Sequence, residues 1–375
     1  MFVALRDLRF ARGRFLLIGA VVTLITVLVG FLSGLTGGLA TQNISGILAL
    51  PADRLAFTVP TGDDAPSFST SSPTRDQADT IAAMPGVTRV DPLGISQLRA
   101  ESETTGTAVA VFGVPADFSM SGPAEGDTTG SSALSDGANT FSAPAESTIV
   151  LSEAAADELD AVVGDDVTIG GTSFRVDSVG PDAWYSHTPV VEVSITDWRA
   201  LAEATGSPDA FATVLAVAGA PDWAAVDAEA GVVSETLVGS LTALSAFRSE
   251  VGSLLLMVAM LFGISGLVIG AFFTVWTMQR QGDVAVLKAL GASTRSLARD
   301  ALGQALLVLL VGIGTGIGLV AILGALAGQA LPFLLSPLTT LVPGAIMVAL
   351  GLAGAAFALR SVTSADPLTA LGGNR

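Results

Sequence analysis

The chain has 375 residues, 50% hydrophobic and only 14% charged, with no cysteine and a formal net charge of −17. Soluble domains average about 25% charged residues, so this composition excludes an ordinary cytosolic enzyme. The missing cysteine excludes thiolate metal ligation, a catalytic thiol and any disulfide support. Charge is absent from three runs, 15–52, 251–278 and 301–359. A spanning helix needs roughly 20 apolar residues, and Pro332 and Pro337 divide the third run. Four membrane spans are expected, at 15–39, 249–278, 301–327 and 341–359.

Residues 1–14, MFVALRDLRFARGR, set Phe2, Leu5, Leu8 and Phe10 against Arg6, Arg9 and Arg12. This reads as a basic amphipathic helix on the inner lipid surface, either a foot touching a cytoplasmic partner or a topogenic anchor. The uncharged core that follows is longer than a signal-peptide h-region, and no A-x-A site follows it, so the first span is expected to be retained.

Residues 40–248 form the long segment between the first two spans. Strands are expected at 54–59, 87–98 and 107–114, with a helix at 73–84 stopped by Pro85-Gly86. The Ser/Gly/Ala/Asp-rich stretch 119–146 reads as a flexible insertion. Beyond it come the strand TIVL, the helix SEAAADELDAVVG, the strands of DDVTIGG and TSFRVDSVG, a helix at 195–203, a strand at 211–218 and a helix at 221–229. From 234 to 250 a helical pattern runs on as a stalk into the second span. The expected product is a mixed α+β domain of two subdomains. His187, beside Trp184 and Tyr185, reads as a structural residue where a turn meets a strand, distant from the second span, and the domain reads as non-enzymatic.

The third span contains GIGTGIG, residues 312–318, and the second contains Gly266 and Gly270. Small residues four apart share a helix face and let backbones approach. This is not a dinucleotide fingerprint, because Ile317 stands where the third glycine is required and no strand precedes it.

Charge sets the orientation. Residues 1–14, 279–300 and 360–375 together carry net +6, and the rest of the chain carries net −23. Basic residues near spans mark the cytoplasmic side, which puts both termini and the 279–300 loop inside, the 40–248 domain outside, and 328–340 as a short outer loop. The single lysine, Lys288, is flanked by Leu287 and Ala289, so the chain has no P-loop. One histidine builds no His-based metal cluster, and the charge-free runs hold no ionisable residue for an ion relay. Energy must come from another chain.

The cytoplasmic loop supplies a way to receive it. Asp283 to Leu290 reads as a short helix with Val284, Leu287 and Leu290 on one face and Lys288 beside them. Gly291 is placed to end it, and Ser293 or Thr294 to cap the next helix. A capped helix below two spans suits a groove on a partner.

GDVAVLKALGAST resembles the cytoplasmic loop of ABC-transporter permeases of the MacB/FtsX type, as does the layout of one span, a large outer domain and three spans. DPLTAL at 366–371 is similar to that family's closing signature. A nearer likeness, to the HrtB-like haem-exporter permeases, is carried by LRDLRFARGRFLLIG, LPADRLAF, YSHTPVV, FRSEVGSLLLM and GAFFTVWTMQRQGDVAVLKALGAST. The resemblance implies the type VII transporter fold. It also implies a multi-pass plasma-membrane homodimer with two copies of a separate ATPase that binds the ATP. Work is then done by mechanotransmission, with haem as substrate and no intrinsic cofactor.

No nucleic-acid partner is expected. Two other outcomes stay open, an FtsX-like regulator of a cell-wall hydrolase and an exporter of a hydrophobic drug or peptide. For haem, Glu250 and Met257 lie two helical turns apart with Ser253 between them. Phe247 and Phe31 are candidate aromatic walls, Arg248 a partner for propionates, and Glu250 or Met257 a ligand for iron. The alternative is that Glu250 only ends the apolar run and the methionines fill packing gaps.

Overall fold

The computed structural model describes residues 12–60, 65–118, 143–279, 282, 286, 290–291, 293–328 and 330–363. It divides into two units, one of residues 1–39 with 253–375 and one of residues 40–252.

Among its described residues the outer unit holds ten strands, five whole α-helices and parts of two more. They are β1 (Arg54–Phe57), α2 (Arg75–Ala82), β2 (Val87–Glu101), β3 (Gly106–Val114), β4 (Thr148–Ser152), α3 (Glu153–Leu159), β5 (Asp166–Ile169), β6 (Thr172–Gly180), β7 (Trp184–Tyr185), β8 (Thr188–Ser194), α4 (Ile195–Ala204), β9 (Val214–Gly219), α5 (Trp223–Ala230), β10 (Val233–Thr236), α6 (Leu237–Ser240), and the start of α7 (Ser245–Gln279). The end of α1 (Arg12–Leu48) also belongs to this unit.

The strand order is β10-β1-β9-β2-β3-β8-β4-β6-β5, with β5 returning to pair with β2 through Ala100↔Ile169 and Glu101↔Thr168. Six strands therefore close on themselves. Long β2 gives its first half to an open sheet with β9 and its second half to this closed one. Period-two alternation fills the closed half, where Val109, Val111, Ile149, Leu151, Val167, Phe174 and Val191 point inward. The open half has two apolar faces. One packs Ile81 of α2 and Val226 of α5 on Leu215 and Val217, and the other gathers Ile47, Leu55, Phe57, Phe112, Tyr185 and Leu244. Helix starts follow the capping residues. Thr74 and Gln77 form a reciprocal capping box, and Ser152, Ser194 and Asp222 each accept from a first-turn N–H.

One expectation fails here. The stretch 234–250 is not one helix: Val233–Thr236 is an edge strand on β1, a four-residue helix and a 3₁₀ turn follow, and Leu244 is extended before α7 begins. Alternation in Val232-Val233-Ser234-Glu235 buries Val232 and Ser234, and that period of two outweighs helical propensity.

Among the described residues four helices are long and apolar enough to cross a bilayer, over Leu16–Leu48, Ser245–Gln279, Thr294–Ala327 and Pro337–Leu359. The last two belong to α8 (Thr294–Ala327) and α9 (Pro337–Thr363). The fourth helix starts at Pro337 rather than 341, with Ser336 Oγ accepting from the Thr339 N–H. Close packing comes from missing side chains. A Cβ on Gly316 would meet Thr26 Cβ at 2.5 Å, one on Gly312 would meet Val22 Cγ1 at 2.9 Å, and one on Gly30 would meet Val320 Cγ2 at 2.8 Å. Thr23 Oγ1 donates to the Gly312 carbonyl at 3.0 Å across the same seam. Residues 1–11 and 364–375, and hence the amphipathic helix and the closing signature, lie outside the described residues.

Candidate substrate site and coupling loop

A two-residue hairpin joins β7 to β8. Both tip residues are left-handed, Ser186 at φ 51° and His187 at φ 64°. Such turns favour Asn-Gly, because L side chains resist positive φ. Residues held this way cost on the order of 1–3 kcal/mol each and persist only where the surroundings over-determine them. Here they do. The Ser186 N–H donates to the Asn43 carbonyl and the His187 N–H to the Gln42 carbonyl, both at 3.0 Å. The Trp184 N–H donates to Ser45 Oγ at 2.9 Å. Tyr185 anchors the hairpin from below, edge-on to Phe68 at 5.8 Å and to Phe112 at 5.7 Å. Burial pushes its phenol well above the usual range, so it stays protonated and is no phenolate ligand.

The pinned tip delivers His187 to two helix residues. Its Nε2 lies 2.6 Å from Glu250 Oε2 and 2.9 Å from Asn43 Nδ2, and Asn43 Nδ2 donates to Glu250 Oε2 at 3.2 Å. Asn43 is fully buried, while the His187 and Glu250 side chains keep 32% and 44% exposure. Two polar heads are thus open on one side and braced from behind. The contacts admit two proton arrangements. In one tautomer the imidazole Nε2–H donates to the Glu250 carboxylate, and in the other Nε2 accepts from the Asn43 amide, which also donates to Glu250. The group can offer an imidazole nitrogen and a carboxylate oxygen to a metal. Among the described residues, no set of three His, Cys, Asp or Glu is arranged to hold a metal ion.

This overturns the expectation of a distant histidine. His187 and Glu250 are 63 residues apart in sequence, and only the fold of the β7–β8 hairpin against α1 and α7 brings them together.

The other expected residues divide between the units. In the outer unit, Phe247 packs against the cluster around Leu244 and Tyr185, and Arg248 is exposed one turn into α7. In the membrane unit, Ser253 is exposed, Met257 is 54% exposed on α7, and the Phe31 ring lies against Phe333 at 5.0 Å. In the 279–300 loop, Asp283, Val284, Leu287 and Lys288 lie outside the described residues. Leu290 is 79% exposed, and Gly291 at φ 92° has the left-handed geometry of a helix stop. Ser293, rather than Thr294, caps α8, its Oγ accepting from the Ser296 N–H at 3.2 Å.

Comparison with known proteins gives this geometry its context. Residues 15–243 match the model of the MacB-like periplasmic core domain, and residues 253–367 match that of the FtsX-like permease C-terminal region. A Staphylococcus haemolyticus protein named as a hemin transport system permease, HrtB, is 25% identical over 379 residues, covering 100% of this chain and 99% of its own. Uncharacterized ABC transporter permeases of Mycobacterium tuberculosis are 25% and 27% identical with the same coverage. The solved periplasmic region of MacB from Actinobacillus actinomycetemcomitans covers 51% of this chain and 92% of its own, at 12% identity and TM-score 0.34. The layout, an α+β outer domain inserted after the first of four apolar helices, is that of the type VII ABC fold. Since the first of these family models alone spans more than half of the chain, this membrane protein with a large extracellular domain belongs to the MacB/FtsX family of ABC-transporter permeases.

Proposed function

We propose that this permease subunit extracts haem from the outer leaflet of the plasma membrane, driven by a separate ATPase. Family membership implies the ABC ATPase partner and a dimer. The observation that carries the substrate reading is the His187–Glu250 pair, two iron-capable donors 2.6 Å apart on a strained turn. Its helix members stand near the outer ends of α1 and α7, and Glu250 directly precedes the charge-free run that begins at Val251. In this reading the pair opens to take the iron, Asn43 holds whichever head is released, and Arg248 meets the propionates. Met257 is the alternative thioether ligand, and Ser253, Phe31 and Phe247 are the further residues that the sequence reading assigns to haem. The HrtB relative supports the same substrate.

Both termini and the 279–300 loop face the cytoplasm by their basic charge, and the loop helix Asp283 to Leu290 docks on the ATPase. The subunit itself performs no catalysis.

The test is a haem titration of the purified dimer in nanodiscs, read as the absorbance band of bound haem. Glu250→Ala and His187→Ala each shift or abolish the band, and Met257→Ala leaves it in place. Unchanged spectra in both of the first two variants place the ligand elsewhere; no binding at all removes haem as the substrate.

A further inference from the structure

The tip of the β7–β8 hairpin has the donor set of a metal-ion site as well. Its three polar heads come from three separate elements, Asn43 from α1, His187 from the hairpin and Glu250 from α7. They form a small triangle. His187 Nε2 is 2.6 Å from Glu250 Oε2 and 2.9 Å from Asn43 Nδ2, and the third edge, from Nδ2 to Oε2, is 3.2 Å. Donors that sit about 2.1 Å from one divalent cation in adjacent octahedral positions lie about 3.0 Å apart. The three edges bracket that spacing, so the heads already span one face of a coordination shell.

The amide is the informative corner. Asn43 is fully buried, yet its Oδ1 has no hydrogen-bond partner, while its Nδ2 faces both other heads. A buried acceptor without a donor carries its full desolvation penalty. A half-turn of the amide about its last side-chain bond exchanges the two atoms and aims Oδ1 at the imidazole and the carboxylate. Three electron-pair donors then converge, an arrangement that is repulsive alone and satisfied by a cation. The turned amide places Nδ2 where Oδ1 was, so burial is conserved and the cation decides the balance.

Imidazole nitrogen with carboxylate and amide oxygen suits a divalent first-row metal such as zinc, and it supplies too few oxygens for calcium. Because the third ligand is an amide, the set differs from a trio of His, Cys, Asp or Glu, which the described residues do not form. The Ser186 and His187 N–H groups bond the Asn43 and Gln42 carbonyls, so imidazole and amide are carried on one braced unit. The His187 and Glu250 side chains keep 32% and 44% exposure, which opens the outward positions to water as the remaining ligands.

We infer that Asn43, His187 and Glu250 form a binding site for a free zinc-like divalent cation, through Oδ1, Nε2 and the carboxylate. The site uses the donors of the haem reading, so cation and haem exclude one another there. Cation binding itself does not require haem to be the substrate.

The test titrates the full chain, free of any affinity tag, in nanodiscs of zwitterionic lipid with cobalt(II) chloride, read as the visible absorption of protein-bound cobalt. Zinc chloride is expected to displace the cobalt and magnesium chloride is not. His187→Ala and Glu250→Gln each weaken binding about tenfold or more. Asn43→Leu also weakens it, and Asn43→Asp, which replaces the amide oxygen by a carboxylate, tightens it. No cobalt or zinc binding in the parent, or equal binding in His187→Ala, Glu250→Gln and the parent, overturns the proposal. So does unchanged binding in an Asn43→Leu variant that keeps its thermal transition. Where an Asn43 variant unfolds, the two half-exposed positions carry the test. A haem titration at saturating zinc separates the two readings. Loss of the haem band supports shared donors, and haem bound beside zinc overturns them. A parent that binds zinc but no haem supports this site and removes the haem reading, and one that binds haem but no zinc does the reverse.

Discussion

The two units of this protein use glycine and apolar residues in opposite ways. In the outer unit, water drives apolar side chains together, and the cores are made of what the strands put in: Phe57, Phe112, Phe174 and Leu151 are all buried. In the membrane unit the lipid is as apolar as the side chains, so contact must come from what is left out. Gly312 and Gly316 of α8 face Val22 and Thr26 of α1, while Gly314 and Gly318 of the same motif meet nothing within 4 Å. The outer unit also uses the subtractive device, as where Gly94 and Gly113 make room for Trp198.

That contrast can be broken in order of size. Trp198→Ala empties the notch and should destabilise the outer unit by about 3–5 kcal/mol, read as the loss of its thermal transition; a small shift would mean that the indole does not fill it. Gly316→Leu should cost about 3 kcal/mol by overpacking the α1–α8 seam, seen as a collapsed size-exclusion peak. Gly314→Leu, two residues away, should leave the peak intact, and equal loss in both would show that the helix face does not matter.

Glu192 gives the third case. It sits in the middle of β8, between Phe112 of β3 and Val150 of β4, and burial raises its carboxyl to about 7 from an ordinary 4.5. The folded state therefore holds this proton more tightly than the unfolded chain. The cost of ionising it is absent below pH 4.5, grows as the pH rises, and is complete above about 7. At that end Glu192→Gln should gain about 3 kcal/mol, and its stability should vary less between the two pH values than that of the parent. A variant that loses stability at high pH would contradict the account. The smallest effect belongs to the hairpin: Ser186→Gly relieves a left-handed residue and should add about 1 kcal/mol, measured by denaturant unfolding of the outer transition.

The same contrast decides what was legible in the sequence. Three charge-free runs, the third divided by Pro332 and Pro337, announce four spans, since burying a charge in lipid is costly, and each span matches a long apolar helix. The strands from Val87 to Val193 follow their period of two. The stretch 234–250 misleads because a four-residue edge strand is too short to show its period against a helical background. The pairing of His187 with Glu250 leaves no local signal, as neither residue lies within a helical turn of the other. A sharper clue stood in Tyr185-Ser186-His187-Thr188: two non-glycine residues at a hairpin tip are strained, and strain of this kind points to function.

The central claim, that haem is what this permease moves and that His187 and Glu250 receive it, has a direct test. The permease is reconstituted in nanodiscs with the ABC ATPase that its family implies, and ATP hydrolysis is followed as haem is added. The account predicts stimulation that saturates with haem and is lost in Glu250→Ala and His187→Ala, with the haem-free rate retained. A rate indifferent to haem, or stimulation equal in all three proteins, would contradict it.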